Sequence, residues 1–74
     1  MEKRPKPGIY RHYKGRLYRL LGLAQHSETL EQMAVYHSQD NQNDLWVRPL
    51  SMWNELVEND GALIPRFTFV SEEN

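Results

Sequence analysis

The stretch "YRHYKGRLYRLLGLAQHSET", Tyr10–Thr29, decides the fold class. Two apolar-rich segments, "IYRHY" and "RLYRLLGLA", flank Lys14-Gly15, a two-residue connection in which glycine can adopt the positive φ that a tight hairpin turn requires. This predicts a β-hairpin pairing Tyr13 with Arg16 and His12 with Leu17. Alternation then puts Tyr10, His12, Leu17, Arg19 and Leu21 on one face, with Ile9, Arg11, Tyr13, Tyr18 and Leu20 on the other. Both faces are half apolar, as in a tightly curved sheet or a dimer interface. Gly22 stands where a bend or bulge would turn the strand.

Working outward, "HSETLE" reads as a polar connection. "QMAVYH" is a third strand, alternating Met33, Val35 and His37 against Ala34 and Tyr36. "SQDNQND" reads as a loop and "LWVR" as a fourth strand, which Pro49 ends because proline lacks the N–H a ladder needs. Two readings of the next segment stay open. In one, Ser51 caps a short helix that gathers Met52, Trp53, Leu56 and Val57 on one side. In the other, only Pro49 to Trp53 is helical and "ELVE" is a strand, paired across Asp60-Gly61 with part of "ALIPRFTFV". Residues 54–58 are therefore helix or strand, and in the second reading Phe67 and Phe69 face the core together. With no βαβ rhythm, the expected fold is mainly β: a small, partly open antiparallel SH3-like barrel of five to six short strands with one short helical turn. Residues 1–7, which hold Pro5 and Pro7, read as a flexible N-terminal tail, residues 8–70 as a single domain and residues 71–74 as a C-terminal tail.

Bulk properties narrow the setting. A chain of 74 residues is near the lower limit for independent folding, where a core leaves about 3 to 5 kcal/mol of net stability. A second copy of the chain would add to that, so a homodimer is one candidate assembly. The absence of cysteine excludes disulfides and thiolate metal sites and suits a reducing cytoplasm. "LLGLA" is too short for a signal-peptide core or a membrane span, so no membrane partner is expected. Net charge is only -1, yet seven of the nine basic residues lie at or before Arg19 and nine of the ten acids at or after Glu28. That asymmetry fits either a nucleic-acid arm or strands that neutralise one another when folded.

Three groups of residues carry the functional candidates. His26, Ser27, Glu28 and Thr29 place an imidazole, two hydroxyls and a carboxylate in four consecutive positions, able to hold a phosphate or a water, or simply to bond their own turn. Trp46 and Arg48 alternate on one face of their strand; if Val47 is core, indole and guanidinium point outward together as an anchor pair. His12 is read as a half-buried histidine beside Tyr10 and Leu17. The spacing of His12, His26 and His37 matches no metal motif, so neither metal nor cofactor is expected.

Taken together, "GIYRHYKGRLYRLLGLAQHSETLE", "VY" at 35–36, "LWVRPLSMW" and "PRFTFV" resemble a bacterial family known as domain of unknown function 1653, over Gly8 to about Phe69. Trp53 stands where phenylalanine is more usual in that family, a conservative core exchange. The resemblance implies a free-standing bacterial cytoplasmic protein and carries no assigned catalytic or ligand residue. Among function classes, a non-enzymatic module that binds a peptide or protein through an aromatic and arginine edge is favoured, since no complete catalytic set is present. The alternatives are nucleic-acid binding through the Tyr and Arg hairpin, and a metabolite binder or enzyme centred on His26, Glu28 and Arg48.

Overall fold

The computed structural model of the protein describes residues 3–72. Among these residues the elements are β1 (Gly8–His12), β2 (Leu17–Gln25), β3 (Gln32–Ser38), β4 (Asn41–Pro49), α1 (Leu50–Trp53), β5 (Leu56–Asn59), β6 (Ala62–Pro65) and β7 (Phe67–Ser71). The expected mainly β, antiparallel architecture with one short helical turn is what the chain adopts, with seven strands instead of five or six. Five form one sheet in the order β4-β3-β2-β1-β7, and β5 and β6 form a separate hairpin. The sheet is not closed into a barrel: β4 and β7 are its two edges among the described residues.

The first hairpin forms where the sequence places it, but one residue out of the expected register. Tyr10 pairs with Tyr18 and Arg11 with Leu17. The turn holds three residues, Tyr13, Lys14 and Gly15; the His12 N–H donates to the Arg16 carbonyl at 2.9 Å and the Gly15 N–H to the His12 carbonyl at 2.7 Å. Gly15 alone takes the left-handed conformation there, at φ 109°. Because side chains alternate with period two, a slip of one residue in pairing exchanges one strand's faces relative to the other. Tyr18 and Leu20 therefore join Tyr10 in the core, and Leu17 stands opposite Arg11 instead of His12.

The β2–β3 register shifts between Leu20 and Gly22, the bulge expected at the glycine, so that Leu20 and Leu23 both reach the core cluster. A larger correction concerns "SQDNQND". Only Gln39 and Asp40 form the turn, and Asn41 to Asp44 belong to β4. On that strand residues 42–45 face the single residue His37 between the pairs Tyr36–Trp46 and Ser38–Asn41, so the first half of β4 bulges away from β3. Its polar composition goes with exposure on both faces of the strand, and of Asn41 to Asp44, Asn41 alone has a register partner on β3.

Of the two readings for residues 54–58, the strand forms. Asp60 and Gly61 sit at φ 53° and 83°, the left-handed pair a tight I′-type hairpin needs, and Val57 pairs with Ile64. The α1 turn starts at Leu50, with Pro49 at the N-cap position and no side-chain cap, so Ser51 is not the cap. Leu50 and Trp53, three apart, are buried from it.

Trp53 drops onto the sheet and stacks on Phe67 with centroids 3.7 Å apart and planes 6° from parallel. Tyr10 and Tyr36 meet its ring edge-on at 5.3 and 5.2 Å. With Leu20, Ala34 and Leu50 these rings make the core, and each favourable aromatic pair adds about 0.5–1.5 kcal/mol beyond area burial. Phe69 shares the face of Phe67 but lies at the rim, against Tyr10 at 5.3 Å. In the N-terminal segment, Asn54 Nδ2 donates to the Lys3 carbonyl at 2.7 Å and the Tyr10 hydroxyl to the Lys6 carbonyl at 2.8 Å. Positions 1–2 and 73–74 of the two expected tails lie outside the described residues. Among the described residues no helix is long and apolar enough to cross a membrane.

Candidate functional site

His12 ends β1 on the aromatic side of the sheet. Its ring lies 5.1 Å from Phe67, edge to face, and 4.6 Å from Tyr13. Its Nδ1 accepts a hydrogen bond from the Lys14 N–H at 3.2 Å, so the ring caps the hairpin turn and must leave that nitrogen unprotonated. Burial holds the His12 pKa below the ordinary histidine value, and the charges of Arg48, Arg66 and Lys14 push the same way.

Arg48 reaches this cluster from β4. Its Nε donates to the Tyr36 hydroxyl at 3.3 Å, and its guanidinium lies over the Phe67 ring, 5.5 Å from the centroid. Arg66, just before β7, pairs with Glu55 at 2.7 Å, and its Nε is buried without a hydrogen-bond partner. His12, Arg48 and Phe67 are thus brought together through long-range pairing. The phenol of Tyr10, deeper in the core, is pushed above its usual pKa by burial.

His26, Ser27 and Glu28 lie elsewhere, in the turn between β2 and β3. His26 Nδ1 accepts from the N–H groups of Glu28 at 3.1 Å and Thr29 at 3.3 Å, and Thr29 Oγ1 accepts from the Glu31 N–H at 3.2 Å. Leu30 takes the left-handed conformation at φ 64°. These side chains complete the turn's own hydrogen bonding. Ser27 and Glu28 are exposed.

Trp46 is 56 % exposed, and its neighbours Leu45 and Val47 are 59 % and 62 % exposed. Val47 is therefore not core, and both faces of this part of β4 are open. Trp46 and Arg48 part company: the indole stands in solvent while the guanidinium folds back onto Tyr36 and Phe67. Sequence reasoning missed the exposure of Leu45 and Val47, because an unbroken apolar run such as Leu45-Trp46-Val47 reads as a strand buried on both faces.

The hairpin's aromatic residues are differently placed. Tyr10 is buried, Tyr18 packs against the core, and Tyr13 is half-buried with Lys14 Nζ 5.8 Å from its centroid. His37 is buried on the other side of the sheet, its Nδ1 2.9 Å from the Ser38 carbonyl, beside a small polar cavity shared with Arg19, Gln39 and Gln42. Among the described residues, no group of three or more His, Asp or Glu side chains is arranged to hold a metal ion.

Comparison with known proteins fits this architecture. A family model described as "Protein of unknown function (DUF1653)" matches residues 8–69. A crystal structure of a DUF1653 protein from Bordetella bronchiseptica is similar at 39 % identity and a TM-score of 0.84, over 95 % of this chain and 92 % of that one. No functionally curated protein matches the chain. With most of its length inside the family model and a relative this similar in both sequence and fold, the chain belongs to the DUF1653 family.

Proposed function

We propose that the protein is a non-enzymatic binding module that takes up an extended segment of a protein partner as an added strand along β4. The observation that carries this reading is a nine-residue edge strand paired only with β3 among the described residues, with Leu45, Trp46 and Val47 each more than half exposed. An open edge presents a row of backbone donors and acceptors, and natural proteins usually blunt such edges with charge or proline. On β4 such residues, Asp44, Arg48 and Pro49, stand to either side of the centre, and Leu45-Trp46-Val47 itself carries neither charge nor proline. Strand addition would supply backbone hydrogen bonds, with the exposed indole as the anchor that residues of its type commonly form at interfaces.

Several of the groups a catalytic reading would draw on are engaged within the fold, while Ser27 and Glu28 are exposed. His26 and Thr29 bond their own turn, and Arg48 is held by Tyr36. A nucleic-acid surface on the hairpin would need free tyrosine faces, which Tyr10 and Tyr18 give up to the core. The cysteine-free composition and a bacterial relative support placing the module in a bacterial cytoplasm.

The test is an amide-resolved NMR titration of labelled protein with fractionated bacterial cytosol, with and without nuclease. The expected result is nuclease-resistant broadening confined to residues 41–49 and weakened about 30-fold or more by Trp46→Ala, the effect of losing a binding hot spot. Nuclease-sensitive effects on Arg11 to Arg19 would replace this reading with nucleic-acid binding, and shifts at His26, Glu28 and Arg48 from the small-molecule fraction would replace it with metabolite binding. Broadening along β4 that depends only on protein concentration would make the partner a second copy of the chain.

A further inference from the structure

Away from β4, the N-terminal segment and the β1–β7 edge enclose a cavity of about 450 Å³. Its apolar side is aromatic: Tyr10, Trp53, Phe67 and Phe69 line it, and Phe69 is the most open of the four. Its other side carries Lys3, Arg4 and Lys6. The segment bearing these cations is tied down by the Asn54 bond to the Lys3 carbonyl and the Tyr10 bond to the Lys6 carbonyl. Arg4 also reaches Gln32 at 3.3 Å, and Lys6 pairs with Glu72 at 3.1 Å while lying 4.5 Å from the Phe69 centroid. Both partners of that ion pair are well exposed, so it is weak and open to exchange.

We propose that this cavity binds a small aromatic carboxylate, with its ring against Phe69 and the edges of Tyr10 and Trp53 and its carboxylate among Lys3, Arg4 and Lys6. The volume is in the range of small-molecule sites, which combine an apolar lining with a few placed polar groups. Charge selects an anion, because three cations line the cavity and, among the described residues, only Glu72 forms an ion pair with any of them. The backbone selects a carboxylate over a phosphate. Phosphate sites typically draw on several convergent N–H groups. Here Pro5 and Pro65 have none, the Asn54 N–H is spent on the Leu50 carbonyl, and the Lys3 and Lys6 carbonyls accept from Asn54 and Tyr10. The planar fork of Arg4 matches a carboxylate directly.

This site is separate from the β4 surface, and its test reads different residues. Labelled full-length protein is titrated with 2-naphthoate, its neutral counterpart 2-naphthamide, inorganic phosphate and adenosine monophosphate. The expected result is saturable movement of the amides of Tyr10, Asn54, Thr68 and Phe69 and of the Trp53 indole N–H with 2-naphthoate, half-complete near or below about 1 mM. The neutral amide should bind at least tenfold more weakly. Combining Lys3→Gln with Arg4→Gln should weaken 2-naphthoate at least tenfold while leaving the thermal midpoint within about 2 °C, since both residues are exposed. Equal binding of 2-naphthamide, shifts centred on Trp46, or no saturation would overturn the proposal. Tighter binding of the monophosphate on the same amides would overturn the carboxylate assignment.

Discussion

The two tryptophans should respond oppositely to truncation. Trp53 is 2 % exposed, stacked on Phe67 at 3.7 Å and met edge-on by Tyr10 and Tyr36. Removing a buried aromatic ring to alanine costs about 3–5 kcal/mol, partly from lost transfer free energy and partly from the cavity left behind. That equals the roughly 3–5 kcal/mol expected for so small a domain, so Trp53→Ala should be largely unfolded at room temperature. Trp53→Phe keeps a ring that can stack on Phe67 and should cost about 1–2 kcal/mol, lowering the thermal midpoint by roughly 4–16 °C. Trp46, 56 % exposed on the outer strand, should change stability by no more than about 0.5 kcal/mol when replaced by alanine. Urea and thermal unfolding followed by far-ultraviolet circular dichroism give all three values. A Trp46→Ala cost above about 2 kcal/mol would mean that its indole belongs to the core, and the β4 docking surface would go with it. A midpoint unchanged in Trp53→Phe would show that the Trp53–Phe67 stack does not hold α1 to the sheet.

Other positions give sharper local tests. A Cβ on Gly8, whose φ is 150°, would come within 2.7 Å of the Ser71 carbonyl oxygen and 2.9 Å of Phe69 Cε1. Gly8→Ala should therefore push β7 off β1 at a cost of about 1–3 kcal/mol, and an unaltered melting curve would show that the contact relaxes freely. His26→Ala removes the acceptor for two turn amides and should cost about 0.5–2 kcal/mol, as lost caps do; hydrogen exchange at Glu28 and Thr29 should accelerate, and unchanged rates would rule out the capping role. Stability should also depend on His12. Its folded-state pKa is lowered from 6.5, so between that lowered value and 6.5 the unfolded chain binds more protons. The His12 contribution is then complete above about pH 6.5 and is lost as pH falls toward the folded value. Urea midpoints that decline on acidification in the wild type but equally in His12→Gln would assign the effect to other groups.

How much of this was legible before the fold was known follows from the range of each interaction. Asp60-Gly61, the Gly22 bulge, the end of β4 at Pro49 and the self-bonded reading of the His26 turn depend on neighbouring residues, and each could be read from the chain alone. The hairpin at Lys14-Gly15 was visible as a hairpin, but its register was not: two- and three-residue turns both satisfy the glycine, and the choice depends on which faces of Tyr18 and Leu20 the rest of the core needs.

The amino-acid sequence by itself determined a small, mostly β, antiparallel protein, its principal turns, its family and the short list of residues from which a site could be built. Tertiary structure decided what those residues do. Arg48 turns inward because Tyr36 and Phe67, twelve and nineteen positions away in sequence, give it a hydroxyl and a ring face. Trp46 stays outside because, among the described residues, β4 is an edge strand with nothing packed over its centre, and Lys3, Arg4 and Lys6 gain a cavity only when β7 brings Phe67 and Phe69 alongside β1. Such placements rest on contacts between distant segments, whose geometry local propensity does not encode.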